Sequence, residues 1–299
     1  MEPLFDGGVP LFQHHRALLI GVKDYKHDRI NRKLGEIYRP DADVIELKET
    51  LISIGYSETN LECLCNEEAT LTNIKGKLLA LGKLEPQSEL TLIFWAGHGY
   101  QFGGNNYLLP WEADLDALDR SALSIDEFSA LIAILQAAHT AIFVDTCFSK
   151  GRARARMKFP GPFNLPDRVL VFVGASSDEA IEDDRGGLLF TCLRDSLKGK
   201  YEYLTDEKGI IYLNSLPGHL QTIMPRKARA TWERERRKGP APQQNPFISS
   251  GGNEPIAIGL NCRKYLGAFV TSSTLPDSVQ NLTTMAIDSY CRYWDKQDE

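Results

Sequence analysis

The sequence lacks both an excess of basic residues and a long apolar run. Its 299 residues carry 34 lysines and arginines against 40 aspartates and glutamates, which gives a formal net charge of −6. A surface that binds phosphate backbones needs a basic excess, so no nucleic-acid partner is expected. No apolar stretch approaches the roughly 18 residues that a membrane-spanning helix needs, so no membrane partner is expected either.

The cysteine patterns of disulfide scaffolds and zinc sites are also absent. The six cysteines include no C-x-x-C pair, and Cys63 and Cys65 have no histidine nearby. The first nine residues contain neither a basic region nor an apolar core, so no secretory signal is predicted. These absences predict a cytoplasmic chain with reduced cysteines, most of which serve as small buried hydrophobic residues.

What is present is the pattern of an α/β protein. Apolar runs typical of buried strands alternate with segments whose apolar residues share one helical face. The predicted strands are Arg16–Val22, Asn60–Leu64, Leu90–Ala96, Thr140–Thr146, Arg168–Gly174 and Pro255–Leu260. The predicted helices are Asp41–Ile54, Thr70–Leu81, Ser124–Leu135 and Gly187–Leu197. Their short connections predict a mostly parallel central sheet of about six strands with helices on both faces.

His98 and Cys147 each stand at the end of a predicted strand, where sites form in sheets of this kind. His98 lies between Gly97 and Gly99. Glycine lets a substrate backbone approach closely and leaves amide N–H groups free to bind an oxyanion. A thiol needs a nearby base to become a nucleophile near neutral pH, and imidazole is the natural partner. The pair therefore indicates nucleophilic cysteine chemistry.

Each residue alone would favour a plainer interpretation. A single histidine is more often a satisfied structural residue, and a single cysteine is more often part of a core. However, the other histidines lack this strand-end setting, and no other cysteine has an acidic residue two positions before it. The combination favours a catalytic pair.

The motifs around both residues resemble those of caspases and metacaspases. Residues 94–99, Phe-Trp-Ala-Gly-His-Gly, resemble the metacaspase motif Y-S-G-H-G, and residues 145–149, Asp-Thr-Cys-Phe-Ser, resemble D-S-C-H-S-G. The histidine precedes the cysteine by about 50 residues, as in that family. Segments 174–180 and 186–191 look like the later A-S-S and G-x-F-T blocks. The resemblance covers about residues 16–199.

This resemblance implies a caspase-like α/β sandwich and a cysteine endopeptidase that works through an acyl-enzyme. Cys147 would attack the peptide carbonyl, and His98 would handle the proton. The backbone N–H groups of Gly99 and Cys147 would bind the oxyanion. The chemistry needs no cofactor, and no third catalytic group is evident. The implied partners are protein or peptide substrates and a regulatory or activating protein.

The resemblance also implies a preference for the substrate residue before the cleaved bond, termed P1. In metacaspases an acidic pocket selects arginine or lysine, and the matching positions here are Asp41 and Asp145. A buried carboxylate pair can bind a guanidinium through charge-assisted hydrogen bonds. Ala96 replaces a pocket serine of the family, which leaves the choice between arginine and lysine open. The alternative is that Asp145 orients a loop and Asp41 caps a helix.

A basic run follows the cysteine motif at Lys150, Arg152, Arg154, Arg156 and Lys158. A peptidase with a basic P1 preference could cut itself there, whereas a solvated loop is the plainer interpretation. The run at 226–238 is a second candidate for cleavage or a partner-binding helix.

Calcium is a candidate activator because many metacaspases require it, and loop carboxylates are its usual ligands. The acids in the matching region include Asp114, Asp126 and Glu127. A further acid that the family carries after the catalytic cysteine has no clear counterpart here, so calcium dependence stays open.

On this interpretation residues 1–200 form a caspase-like catalytic core, and residues 201–299 complete the same domain. The latter would contribute a late strand near 255–260, a basic and proline-rich insertion at 224–250 and a tail. The alternatives are a catalytically silent caspase-fold scaffold, a peptidase with another P1 preference and an acyl hydrolase or transferase of another cysteine class. A Rossmann-like nucleotide binder is disfavoured, because no G-x-G-x-x-G follows the first strand.

Overall fold

The structure is a computed structural model that describes most of the chain between residues 12 and 265. Backbone and side chains are described at 12–83, 88–146, 165–174, 182, 185–235, 244–249 and 255–265. The backbone alone is described at 5–6, 9–10, 148–149 and 183.

Strands and helices alternate along these residues. The strands are β1 Phe5–Asp6, β2 Val9–Pro10, β3 His15–Gly21, β4 Leu61–Cys65, β5 Leu90–Ala96, β6 Gly99–Phe102, β7 Asn105–Leu108, β8 Leu123–Ser124, β9 His139–Asp145, β10 Phe148–Ser149, β11 Val169–Val173, β12 Glu182–Asp183, β13 Gly186–Gly187, β14 Ile210–Tyr212, β15 Phe247–Ser249 and β16 Ala257–Leu260. The α-helices are α1 Arg29–Leu34, α2 Pro40–Ser53, α3 Leu71–Leu81, α4 Leu118–Ser121, α5 Ile125–Ala133, α6 Leu188–Leu197 and α7 Leu216–Arg234. Single 3₁₀ turns lie at Glu58–Asn60, Asn66–Glu68, Glu202–Leu204 and Leu213–Ser215.

Six of the strands form one central sheet in the order β15-β11-β9-β5-β3-β4. All neighbours in it run parallel except β15, which is antiparallel to β11. This confirms the predicted fold class, a mostly parallel sheet of six strands. The β9–β11 contact pairs five residues on each strand, and the rings of Phe143 and Phe172 stack across it with centroids 4.6 Å apart.

Helices cover both faces of the sheet, and the side chains along each central strand alternate between two hydrophobic cores. On β3, Ala17 and Leu19 pack with α2, α6 and α7, whereas Leu18 and Ile20 pack with α3 and α5. Successive side chains of a strand point to opposite faces, so a continuous apolar run is what a strand buried on both sides requires.

Two helices begin with a capping side chain. The Thr70 hydroxyl accepts a hydrogen bond from the Asn73 N–H at 3.2 Å at the start of α3. The Ser124 hydroxyl accepts one from the Glu127 N–H at 3.1 Å at the start of α5. Each satisfies a backbone donor that the first turn of a helix leaves unpaired.

The strands outside the five parallel ones depart from the expected pattern. The late strand β16 pairs with β14 in a separate two-stranded sheet, and the sixth central strand is β15. β15 lies within the segment 224–250, for which the sequence predicts a basic and proline-rich insertion. A further four-stranded sheet, β10-β6-β7-β8, is formed by short strands that carry little apolar periodicity. Among the described helices, none is long and apolar enough to cross a membrane.

Gly21 ends β3 where the first turn of α2 packs against the sheet. A Cβ atom at this position would stand 2.4 Å from the Pro40 carbonyl oxygen and 2.9 Å from the Asp41 Cα. Backbone atoms cannot yield as a flexible side chain can, so only glycine lets α2 begin this close to the strand.

We therefore expect Gly21→Ala to lower the free energy of unfolding by about 2–3 kcal/mol through overpacking. Gly76→Ala is the matched control, because Gly76 lies within α3 and a Cβ there would meet nothing within 4 Å. The control should be neutral or stabilise by up to about 1 kcal/mol through helix propensity. Urea unfolding of the three chains measures both changes, and equal stability of Gly21→Ala and the parent chain would contradict the packing argument.

Candidate active site

The carboxyl ends of β3, β5 and β9 lie level at one edge of the central sheet. Gly21 pairs with Ala96, and Ala96 pairs with Asp145. The chain leaves the sheet after Ala96 with Gly97 and His98, and it leaves after Asp145 with Thr146. The two segments that carry the predicted catalytic pair therefore start side by side.

A second strand contact keeps these segments together beyond the sheet. Phe148 pairs with Gly99, and Ser149 pairs with Tyr100, in parallel register. Cys147 itself lies outside the described residues. Its two chain neighbours are described, Thr146 as a buried residue and Phe148 as the strand partner of Gly99.

The His98 side chain is almost fully buried, with 3% of its surface exposed. Its Nε2 atom lies 3.0 Å from the Gly35 carbonyl oxygen and 3.1 Å from Oδ1 of Asn31. The ring stacks on Tyr25 with centroids 5.4 Å apart, and the Tyr25 hydroxyl accepts a hydrogen bond from the His98 backbone N–H at 2.7 Å. Residues between β3 and α2 thus hold the ring.

Burial lowers the pKa of His98 to about 4, although the bond to the Gly35 carbonyl acts in the opposite direction. A buried imidazolium loses its hydration, which disfavours the charged form. His98 is therefore neutral at physiological pH.

The backbone N–H of Gly99 faces away from β7. The Leu109 N–H donates to the His98 carbonyl at 3.1 Å, so Gly99 and Leu108 form a non-hydrogen-bonded antiparallel pair. The Gly99 N–H consequently points toward the side of β10, the strand that follows Cys147 directly.

Asp145 lies at the end of β9 with 7% of its surface exposed. Its carboxylate accepts a hydrogen bond at 2.9 Å from the Phe190 N–H, in the first turn of α6. Burial raises the pKa of Asp145 to about 7, and the nearby carboxylate of Glu182 adds to the rise.

A second buried acid, Asp43, lies beside Asp145 and was not singled out from the sequence. It is 2% exposed and accepts a hydrogen bond at 2.9 Å from the Gly187 N–H. Burial raises its pKa to about 8, and Asp145 contributes to the rise. Arg39 opposes it, because its Nε lies 3.2 Å from Asp43 Oδ1. Burial outweighs this ion pair.

The hairpin β12–β13 lies between these two carboxylates. A Cβ on Gly187 would stand 2.2 Å from Asp145 Oδ2, and one on Gly186 would stand 2.3 Å from Asp43 Oδ1. Gly186 also has φ +109°, a conformation that side chains disfavour. Two glycines in sequence let the hairpin backbone pack closely against both acids at once.

Asp41, the acid selected from the sequence, has a different environment. Its carboxylate accepts a hydrogen bond from the Asn66 side-chain amide at 3.0 Å, and the residue is only partly buried. The helical phase explains the difference. Asp43 precedes the buried Leu47 and Leu51 by four and eight positions and shares their face of α2.

Ala96 is buried and directly adjacent to Asp145 in the sheet. Its backbone carbonyl accepts a hydrogen bond from the Val22 N–H at 3.0 Å. Its small side chain therefore borders the acidic pair without adding a polar group to it.

The expected calcium ligands are not brought together. Asp114 accepts a hydrogen bond from the Asp116 N–H at 3.0 Å, Glu127 pairs with Lys75 at 2.6 Å, and Asp126 is exposed. Within the part of the chain that the structure describes, no group of three or more candidate ligands could hold a metal ion. These residues do not fit a calcium site as placed.

The predicted self-cleavage run, Lys150, Arg152, Arg154, Arg156 and Lys158, lies outside the described residues, as does the A-S-S block after Gly174. The tail beyond Tyr265 is likewise not described.

The two buried acids make stability depend on pH in an unusual direction. Their pKa values rise from 3.8 to about 8 and about 7, so the folded chain retains protons that the unfolded chain releases. Stability from these groups is complete below pH 4 and is lost as pH rises toward 8. We expect urea unfolding between about pH 5 and 8 to show this decline, and Asp43→Asn with Asp145→Asn to flatten it. If the free energy of unfolding fell equally steeply with pH in the parent chain and in the doubly substituted chain, the raised pKa values would be contradicted.

Comparison with known proteins gives one family and several similar folds. The sequence model of the caspase domain matches residues 14–250. No curated protein sequence matches the chain. A crystal structure of caspase-1 from Spodoptera frugiperda is 11% identical, with a TM-score of 0.56 over 83% of this chain and 91% of that one. A crystal structure of a Geobacter sulfurreducens protein is 15% identical, with a TM-score of 0.55 over 80% of this chain and 94% of that one. At such identities the likeness concerns the fold alone.

Proposed function

The chain belongs to the caspase-domain family of cysteine peptidases, and on that basis we propose that it is an endopeptidase that cleaves protein substrates after arginine or lysine. Cys147 is the nucleophile, and His98 is its base. The backbone N–H groups of Gly99 and Cys147 bind the oxyanion. The chemistry needs no cofactor.

The observation that carries this proposal is the register between β6 and β10. Phe148 stands opposite Gly99 in this register. In the sequence, Cys147 comes directly before Phe148, and His98 comes directly before Gly99. The segments 96–99 and 145–149 are paired at both ends, Ala96 with Asp145 and Gly99 with Phe148, and the two predicted catalytic residues belong to these segments. A thiol and an imidazole on adjacent segments at a strand end are what nucleophilic catalysis requires.

The proton transfers follow from the contacts of His98. Both neighbours of Nε2 are acceptors, so Nε2 carries the hydrogen and Nδ1 has the lone pair. Nδ1 takes the thiol proton as the Cys147 sulfur bonds to the peptide carbonyl carbon. The C–N bond then breaks, and the proton passes to the leaving amine. Water hydrolyses the acyl-enzyme with His98 again as base.

The preference for a basic P1 residue rests on the buried acids at the same edge of the sheet. Asp145 and Asp43 provide the carboxylates, Ala96 borders them, and Asp41 is the outer acid at the start of α2. A cationic P1 side chain would lower both pKa values and replace the N–H donors of β13 and α6 as the partners of the carboxylates.

Arg39 favours one alternative. Its guanidinium contacts Asp43 and also Glu46, at 3.0 Å, so a cation already stands beside the pocket. If the acids stay protonated, Arg39 could instead bind an acidic P1 side chain. A catalytically silent scaffold is the second alternative, and it would leave the buried base His98 without a use.

A panel of fluorogenic peptides with arginine, lysine or aspartate at P1, with and without calcium, tests the proposal. Turnover of the arginine and lysine peptides alone supports it. Cleavage after aspartate only would support peptidase activity but refute the proposed preference for a basic P1 residue. No cleavage under any condition would favour the catalytically silent scaffold. Activity that requires calcium would place its ligands outside the arrangement described for Asp114, Asp126 and Glu127.

Self-cleavage is a further prediction of the basic P1 preference. We expect the purified chain to cut itself after a residue of the run 150–158, because that run follows Cys147 within a few residues. Intact-mass measurement after incubation should find two fragments from the parent chain and one uncut species from Cys147→Ala. Identical spectra for the two would refute self-processing but not peptidase activity toward other substrates.

A further inference from the structure

The His98 ring has a side-chain partner in addition to the backbone carbonyl of Gly35. Asn31, in the short helix α1, lies 67 positions before His98 and places Oδ1 3.1 Å from its Nε2. The other end of the same amide, Nδ2, donates to the Lys23 carbonyl oxygen at 3.1 Å. The amide thus spans the gap between the segment after β3 and the histidine.

The contact with Lys23 decides which way the Asn31 amide points. A carbonyl oxygen only accepts hydrogen bonds, so the NH₂ group must face Lys23 and the oxygen must face His98. An acceptor at this position is compatible with hydrogen on Nε2 and incompatible with hydrogen on Nδ1 alone. The amide therefore favours one tautomer of the neutral ring.

We propose that Asn31 is a positioning residue for catalysis, which holds the His98 ring in the tautomer and orientation that leave Nδ1 free to accept the thiol proton. The inference rests on the proposed function, in which His98 is the base of Cys147. Asn31 forms the third member of a Cys-His-Asn arrangement, and it acts through His98 without touching the substrate.

The two acceptors on Nε2 have separate roles. Gly35 has φ +104° and follows the end of α1, so its carbonyl depends on the conformation of a flexible residue. Asn31 lies within α1 and is fixed at a second point by Lys23, which makes it the better anchor of ring orientation. Tyr25 supports the ring from its face. Among the described residues, no charged side chain contributes to the lowered pKa of His98.

Steady-state kinetics of Asn31→Ala and Asn31→Asp test the role with arginine peptides. Loss of orientation should lower kcat of Asn31→Ala by about ten- to a hundredfold and leave KM nearly unchanged. Asn31→Asp retains an acceptor for Nε2 and should recover part of this loss. Arg32→Ala is the matched control, because Arg32 is exposed on the same helix, and it should behave as the parent chain. An unchanged kcat in Asn31→Ala overturns the proposal.

A second measurement does not depend on turnover. In the Cys147→Ala chain, NMR titration of the His98 imidazole, assigned by its absence in His98→Gln, should show a pKa that rises by roughly 1–3 units with Asn31→Asp, because a carboxylate stabilises the imidazolium. Arg32→Ala should not move it. An identical titration in Asn31→Asp overturns the contact on which the proposal rests. A parent chain that cleaves no peptide refutes the proposed function instead, and the titration still decides whether Asn31 faces His98.

Discussion

Replacing Cys147 with alanine is expected to lower kcat/KM for arginine and lysine peptides by at least about a thousandfold. Removing the nucleophile of a covalent mechanism leaves only the binding and oxyanion contributions to catalysis. Loss of the base in His98→Ala should be of similar size, because thiol and imidazole act as one unit. The measurement is initial-rate kinetics with the fluorogenic peptides at saturating and subsaturating concentrations.

Cys262→Ser is the control for this prediction. Cys262 is partly exposed and follows β16, away from the carboxyl edge of the sheet, so the substitution should leave kinetics within about twofold of the parent chain. Retention of peptidase activity in Cys147→Ala, or an equal loss in Cys262→Ser, would show that the reactive sulfur lies elsewhere. Urea unfolding of each variant separates lost chemistry from lost folding.

The second large effect concerns the acidic pair. We expect Asp43→Asn and Asp145→Asn each to lower kcat/KM for an arginine peptide by about a hundred- to a thousandfold, because a buried guanidinium would lose one of its counter-charges. A peptide with citrulline at P1 has nearly the same shape without the charge. The parent chain should strongly prefer arginine over citrulline, and the variants should lose most of that preference.

Asp41→Asn is the matched control, since it removes a carboxylate from the same turn of α2. The contacts of Asp41 with Asn66 predict a much smaller effect than that of Asp43→Asn. A larger loss in Asp41→Asn would assign the pocket to the acid that the motif alone suggested. Unchanged discrimination in all three variants would remove the basic P1 preference.

The central sheet could be predicted because its strands are buried on both faces. A continuous apolar run such as Leu90–Ala96 has few other uses in a soluble fold, and its boundaries are the same in sequence and structure. Short strands could not be located this way. β15 contributes three partly buried residues, and its place next to β11 depends on a partner about 75 positions earlier in the chain.

The candidate site shows the same contrast. The positions of His98 and Asp145 follow from where apolar runs end, which is local information. Asp43 was not predicted, because the metacaspase motif matches Asp41 instead. The four-residue spacing of Asp43, Leu47 and Leu51 nevertheless indicates that Asp43 shares the buried face of α2. Asn31 and Gly35 carry no signal at all in the sequence, since their contact with His98 depends on how a distant loop returns to the sheet.

The pairing of β9 with β11 determines what self-cleavage would do to the molecule. A break between 150 and 158 falls between those two strands in the chain, and it severs none of their five residue pairs and leaves the Phe143–Phe172 stack intact. The products would remain associated as a two-chain particle that elutes at its original size and separates only in denaturant. Processing would then create two new chain ends within about ten residues of Cys147 along the chain and leave the fold assembled.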